Sequence, residues 1–181
     1  GFVCYINSDI ILTSSFTKTY NEFKSNSMLK NFLIIGQRWD MKNTYPINFN
    51  DPNWENDLEQ IVYKENRLHS ECGIDYFLHS PTTFNDIPKT FAIGRYHWDR
   101  WLVYNAVTSG IHTIDVSKTV LCVHQGGHYY ASHNIIPVNL LSETDEVKRN
   151  CALFAKCGKN IDSSKYKTIY DNDKNILFIE R

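Results

Sequence analysis

The chain has no excess of charge of either sign. Its 19 lysines and arginines stand against 20 aspartates and glutamates, leaving a net charge of −1 over 181 residues. That balance gives no electrostatic footprint for nucleic acid or for an anionic membrane, so neither is an expected partner. No apolar stretch approaches the length of a membrane span, and no cleavable leader is visible. Five cysteines (Cys4, Cys72, Cys122, Cys151, Cys157) make no CxxC pair and no zinc spacing. An odd number of them in a chain that is not small excludes a disulfide framework and predicts buried free thiols in a reduced, cytoplasmic setting. Internal repeats and low-complexity segments are also absent. Neither Asn26-Ser27-Met28 nor Asn43-Thr44-Tyr45 completes a glycosylation sequon.

What is present is enough for a core. Hydrophobic residues make up 42% and charged residues 22%, which argues for one folded domain over residues 1–181 and against disorder. Aromatics reach 14%, a surplus that suits sugar-handling surfaces as well as ordinary cores. The first residue is Gly and not Met, so the chain is read as an excerpt of a longer protein.

Apolar runs at Phe2–Ile6 and Phe32–Gly36 lack alternation and predict strands buried on both faces, the first of them in mid-sheet. Ser14 or Ser15 can cap a helix carrying Phe16, Tyr20 and Phe23 on one face. Residues 43–53, rich in Asn, Pro and Asp, read as a loop. Glu55 to Asn66 reads as a helix with Leu58, Ile61 and Val62 inward, and Asp75–His79 as a short strand. Trp98, Trp101, Leu102, Asn105 and Ala106 share one face of the clearest helix, which Gly110 ends. Strands are expected over 111–116 and 119–124, then a helix capped by Ser142 with Val147, Cys151 and Phe154 inward. Runs at 167–170 and 175–179 around Asp171-Asn172-Asp173 predict a C-terminal hairpin. Strands and helices intermix, so the class is α/β.

Four segments carry side chains suited to chemistry. Asn7-Ser8-Asp9 follows the opening strand, and ligands bind at the carboxyl ends of strands in α/β sheets. Asp9 there can hold a divalent cation against a phosphate, although the triplet also suits a turn. Asp75, in Gly73-Ile74-Asp75-Tyr76-Phe77, can accept a hydrogen bond from a sugar hydroxyl or can serve as a cap or ion-pair partner. In Gly94-Arg95-Tyr96-His97-Trp98-Asp99-Arg100-Trp101, Asp99 falls in the first helical turn, where the helix dipole favours an ionised carboxylate suited to general-base work. Trp98 suits a core more than a ligand platform, yet with Asp75 and Arg95 it completes the substrate-contact candidates. In His124-Gln125-Gly126-Gly127-His128-Tyr129-Tyr130, two imidazoles flank paired glycines that let backbone approach a ligand closely. His133 is a weaker candidate.

Taken in order, these segments resemble glycosyltransferases of the GT-A fold, family-2-like members above all, over Phe2 to about His133. The resemblance implies a mixed sheet flanked by helices, with residues 134–181 as a C-terminal extension. It implies that Asn7 and Asp9, with Asn in place of the first Asp, match a metal-binding Asp-x-Asp triplet. It further implies that Asp99 is the base of an inverting reaction, and that His128 or His124 completes a Mn2+ or Mg2+ site on a nucleotide-sugar donor. Tyr129 stands where many relatives carry an acidic residue. The N-terminal nucleotide-binding half of that fold is missing here, so the resemblance implies the metal and acceptor half of a truncated domain. An apolar strand without its neighbour would pair with another chain, giving a homo-oligomer. The rival readings are a non-catalytic binding or assembly module derived from such an enzyme, and a nucleotidyltransferase. A carbohydrate or glycoconjugate would be the acceptor.

Overall fold

Phe32-Leu33-Ile34-Ile35 has no polar position to turn toward water, and the fold buries all four residues in the middle of a sheet. The computed structural model describes residues 1–25, 30–43, 45–65, 67–125, 144–154 and 159–181, with Glu65 described by its backbone alone. In chain order the strands are β1 (Val3–Ile6), β2 (Ile10–Leu12), β3 (Phe32–Ile35), β4 (Trp39–Asp40), β5 (Arg67–Leu68), β6 (Tyr76–His79), β7 (His112–Asp115), β8 (Cys122–His124), β9 (Tyr166–Tyr170) and β10 (Ile176–Glu180). The α-helices are α1 (Ser14–Ser25), α2 (Trp54–Glu65), α3 (Trp98–Thr108) and α4 (Asp145–Phe154).

Two mixed sheets result. One has the order β1-β6-β3-β7-β9-β10, with β3, β7 and β9 parallel and the other pairings antiparallel. The other has the order β2-β8-β4-β5. Alternation along the central strands divides the larger sheet's side chains between two cores. Phe32, Ile34, Tyr76, Leu78 and Ile114 pack with Phe23 of α1, while Leu33, Ile35 and Phe77 pack with Trp98, Leu102 and Val103 of α3. Leu58 and Val62 of α2 pack on Ile11, Leu121 and Val123 of the smaller sheet. The expected helices around residues 14–25, 54–65 and 98–108 and the C-terminal hairpin are all found.

Several expectations need correction. β1 lies at the edge of its sheet and not in the middle, with Phe2, Val3 and Ile6 49%, 46% and 39% exposed. A non-alternating apolar run reports burial only if strands flank it on both sides, and β1 pairs with β6 alone. Cys4, Cys72 and Cys151 are exposed, and Cys122 is the buried thiol among the described residues. In α4 the buried positions are Val147 and Asn150, with Cys151 turned outward. Ser142 lies outside the described residues, and the Thr144 hydroxyl accepts from Val147 N at the start of that helix. The segment expected as an appended extension is built into the fold. β9 joins the large sheet beside β7, and Ile161 enters the α3 core.

Candidate functional site

The chain passes from the large sheet to the small one three times, and two of these crossings, residues 7–9 between β1 and β2 and 36–38 between β3 and β4, meet at one seam. β1 and β3 end at this seam, and the antiparallel β6 begins there. β8 ends there with His124 paired to Ile10 and Asp40, and α3 starts nearby. The seam opens into a cleft of about 790 Å3. Of the residues that the sequence nominates, Asn7, Asp9, Asp75, Arg95, Trp98, Asp99 and His124 all line it. His128 and His133 lie outside the described residues.

Backbone fit makes the seam possible. A Cβ at Gly36 would come 2.1 Å from the Tyr76 hydroxyl, so only glycine lets the chain turn off β3 over β6. Gly73 is pressed on by the His69 ring, where a Cβ would lie 2.1 Å from Cδ2.

A continuous polar network runs along the cleft floor. Asn7 N donates to Asp75 O (2.9 Å), and Asn7 Nδ2 donates to Asp75 Oδ1 (2.6 Å). The Tyr5 hydroxyl donates to Asn7 Oδ1 (3.1 Å). Arg38 Nη1 donates to Asp75 Oδ2, and Arg38 Nε to Asp40 Oδ1 (2.9 Å). Asp40 Oδ2 in turn holds His69 Nδ1 at 2.6 Å. Asp9 Oδ2 lies 3.2 Å from His124 Nε2, whose Nδ1 is 3.8 Å from Asp40 Oδ1. Burial alone would raise the Asp40 carboxyl, but hydrogen bonds from His69 and Arg38 and the Arg38 charge hold it below the usual range. Burial opposes the Arg38 charge as well, and Asp75 more than restores it.

This network changes how the candidates read. Both Asp75 oxygens already accept from Asn7 and Arg38, so Asp75 first of all fixes the Asn7–Asp9 turn. Trp98 is 8% exposed and packs on Tyr5 and Phe77, so it is a core residue that only borders the cleft. In the first turn of α3 the helix dipole alone would hold Asp99 ionised. Instead burial pushes its carboxyl up, Asp75's charge adds to this, and the hydrogen bond from Arg100 N only partly opposes it, so the pKa comes to about 6. A base with that value is still mostly ionised at neutral pH and closer to the operating range than an ordinary carboxylate.

For a metal, the described residues supply a pair and not a cage. Among them no group of three or more His, Cys, Asp or Glu side chains converges as a metal site. Asp9, half exposed, and His124, nearly buried, are the pair. Cis ligands of an octahedral ion at 2.0–2.1 Å stand about 3 Å apart, close to the Asp9–His124 separation, and Mg2+-type sites draw their remaining ligands from water and substrate phosphates. Asn7 has only its Oδ1 left to offer, shared with Tyr5.

Arg38, Asp40, His69 and Arg100 also line or support the cleft, and the motif reading passed over them. Arg38 and Asp40 had a signal, because Gln37-Arg38-Trp39-Asp40 follows an apolar run just as Asn7-Ser8-Asp9 does. His69 had none, because its partner lies 29 residues away in sequence.

No protein-family model, curated protein or solved structure matches the chain. The functional reading therefore rests on the cleft itself.

Proposed function

We propose that the chain is a GT-A-like, metal-dependent glycosyltransferase domain that moves a sugar from a nucleotide-sugar donor to an acceptor hydroxyl. The observation that supports the reading is the convergence of the strand-end triplet Asn7–Asp9, the helix-start carboxylate Asp99 and the strand-end His124 on one cleft, although they are up to 117 residues apart in sequence. In this reading Asp9 and His124 hold Mn2+ or Mg2+, which would neutralise the leaving diphosphate. Asp99 takes the proton of the attacking hydroxyl as the sugar–phosphate bond breaks. Arg38, Asp40 and Asp75 hold the Asn7–Asp9 turn and the His69 ring in place, and Arg95 orients substrate. The acceptor is a carbohydrate or glycoconjugate.

The test is calorimetry with UDP and GDP, each with and without Mn2+, on the wild-type chain and on Asp9→Ala. Nucleotide binding that needs the metal and is lost in Asp9→Ala is the expected outcome. Metal-dependent binding that persists unchanged in the variant would remove Asp9 from the site and this reading with it.

A further inference from the structure

Arg38, Asp75, Asp9 and His124 are paired with one another or with neighbours across the cleft, whereas two arginines have no such partner among the described residues. Arg95 and Arg100 both line the cleft, on the wall that carries Asp99. The Nε of each is shut off from solvent and has no hydrogen-bond partner among the described residues. Arg95 makes one weak bond of its own, Nη1 to Gly94 O at 3.3 Å. Arg100 lies with its Cζ 4.7 Å from the centre of the Phe154 ring. That contact satisfies the face of the guanidinium and leaves its in-plane donors unused. Among the described residues neither arginine makes a salt bridge, in contrast to Arg38, which grips two carboxylates.

A buried donor without an acceptor is destabilising, and more so when it is charged. Two such groups lining the same cleft are costly unless something completes them. The segment that presents them is also held under constraint. Gly94 and His97 both have left-handed backbone angles, φ 77° and 76°, and His97 pays for it without glycine's freedom. Its ring stacks on Phe154 at 4.4 Å, and Asn150 of α4 holds Ala92 and the Tyr96 carbonyl from behind. The fold thus fixes a strained loop that brings Arg95 and Arg100 to the cleft lining without a carboxylate in salt-bridge contact among the described residues.

We propose that Arg95 and Arg100 form an anion subsite beside Asp99 that takes a phosphate or carboxylate group of the bound substrate. Guanidinium groups match such planar or multi-oxygen anions through paired N–H donors. Within the glycosyltransferase reading, on which only the source of the anion rests, that group is either the donor's diphosphate or an acidic group on the acceptor.

The experiment is calorimetry without metal, in EDTA, using inorganic pyrophosphate and glucuronate as separate probes. It compares the wild-type chain, Arg95→Gln/Arg100→Gln, and Lys24→Gln/Lys64→Gln, which removes the same charge elsewhere. Pyrophosphate or glucuronate should bind the wild type and bind the arginine variant about tenfold more weakly or worse, with the lysine variant unaffected. Binding of pyrophosphate alone assigns the subsite to the donor side, and binding of glucuronate assigns it to an acidic acceptor. If the arginine variant binds within about twofold of wild type, or if neither probe binds at about 10 mM, the subsite does not exist. A second readout needs no variant. Bound probe should protect Arg95 and Arg100 of the wild type from phenylglyoxal, mapped by mass spectrometry, and equal modification with and without probe overturns the proposal. Because no metal is present, the outcome is independent of the Asp9 test. Arginine-dependent pyrophosphate binding alongside failed metal-dependent nucleotide binding would retire the transferase and keep the subsite.

Discussion

Asp99 gives the most direct test of a single residue. Its pKa of about 6 means that the folded chain binds more protons than the unfolded chain between about pH 4 and pH 6. Stability therefore falls as pH rises through that window, and the full cost of the buried charge stands above pH 6. Asp99→Asn keeps the shape and an acceptor for Arg100 N while removing the charge. We expect the variant to be more stable than wild type at pH 8 by on the order of 1–2 kcal/mol, allowing for partial exposure, and the gain to vanish by pH 4. Urea melts of both proteins at the two pH values check this, and an equal gain at both would rule out charge burial as its cause. In transfer assays the same variant should lose roughly 10²-fold in turnover while nucleotide binding persists. Asp75 predicts the opposite sign. Asp75→Ala leaves Arg38 partly unpaired and frees Asn7, and it should cost about 3 kcal/mol in a denaturant melt. Adding Arg38→Ala should cost less than the sum of the two single changes, and strict additivity would mean that the pair is not coupled.

At the scale of elements, what was legible depended on length. α1, α2 and α3 each carry an apolar stripe over three turns, enough for periodicity to accumulate. β4 and β5 have two residues each and β2 and β8 three, too short for alternation to register. The smaller sheet exists because β2 meets β8 across more than a hundred residues, a pairing that no local window contains. The same limit applied to the site. Its motif-bearing ends could be nominated one at a time, but the bonds that tie Arg38 to Asp75 and Asp40 to His69 span 37 and 29 residues. Asn150 was also hidden, as a polar residue on a helix face that the pattern assigned to apolar side chains. Its amide makes three hydrogen bonds to the loop that carries Arg95. Asn150→Ala should therefore cost about 2 kcal/mol or more and speed amide exchange at Ala92 more than at Leu33 or Ile34. Unchanged exchange at Ala92 would mean that the loop holds its shape without α4.

For the whole molecule, the open question is the free edge of β1. This strand pairs with β6 on one side and, among the described residues, with no strand on the other. Phe2, Val3 and Ile6 are exposed there, while Phe2 keeps a ring contact with Tyr20 at 4.6 Å. An apolar edge with unpaired backbone groups is a template for another strand, and natural edges are usually blunted with lysine, proline or a bulge. β1 has none of these, since Val3-Cys4-Tyr5-Ile6 is uncharged throughout. The strand also runs directly into the Asn7–Asp9 turn, so whatever pairs with it would stiffen one wall of the cleft. We expect the chain to self-associate through this edge. Light scattering should give a mass that rises with concentration into the range of about 100 μM, where weak edge contacts become populated. Val3→Lys puts a charge on the exposed edge without touching the core and should return the mass to that of a single chain, with the melting temperature at low concentration unchanged. Metal-dependent nucleotide affinity should then lose any dependence on protein concentration, since the turn after β1 would no longer be braced by a neighbour. A wild-type mass that stays at one chain throughout, or association that survives Val3→Lys, would mean that β1 is a solvated edge and that the cleft is complete within a single copy.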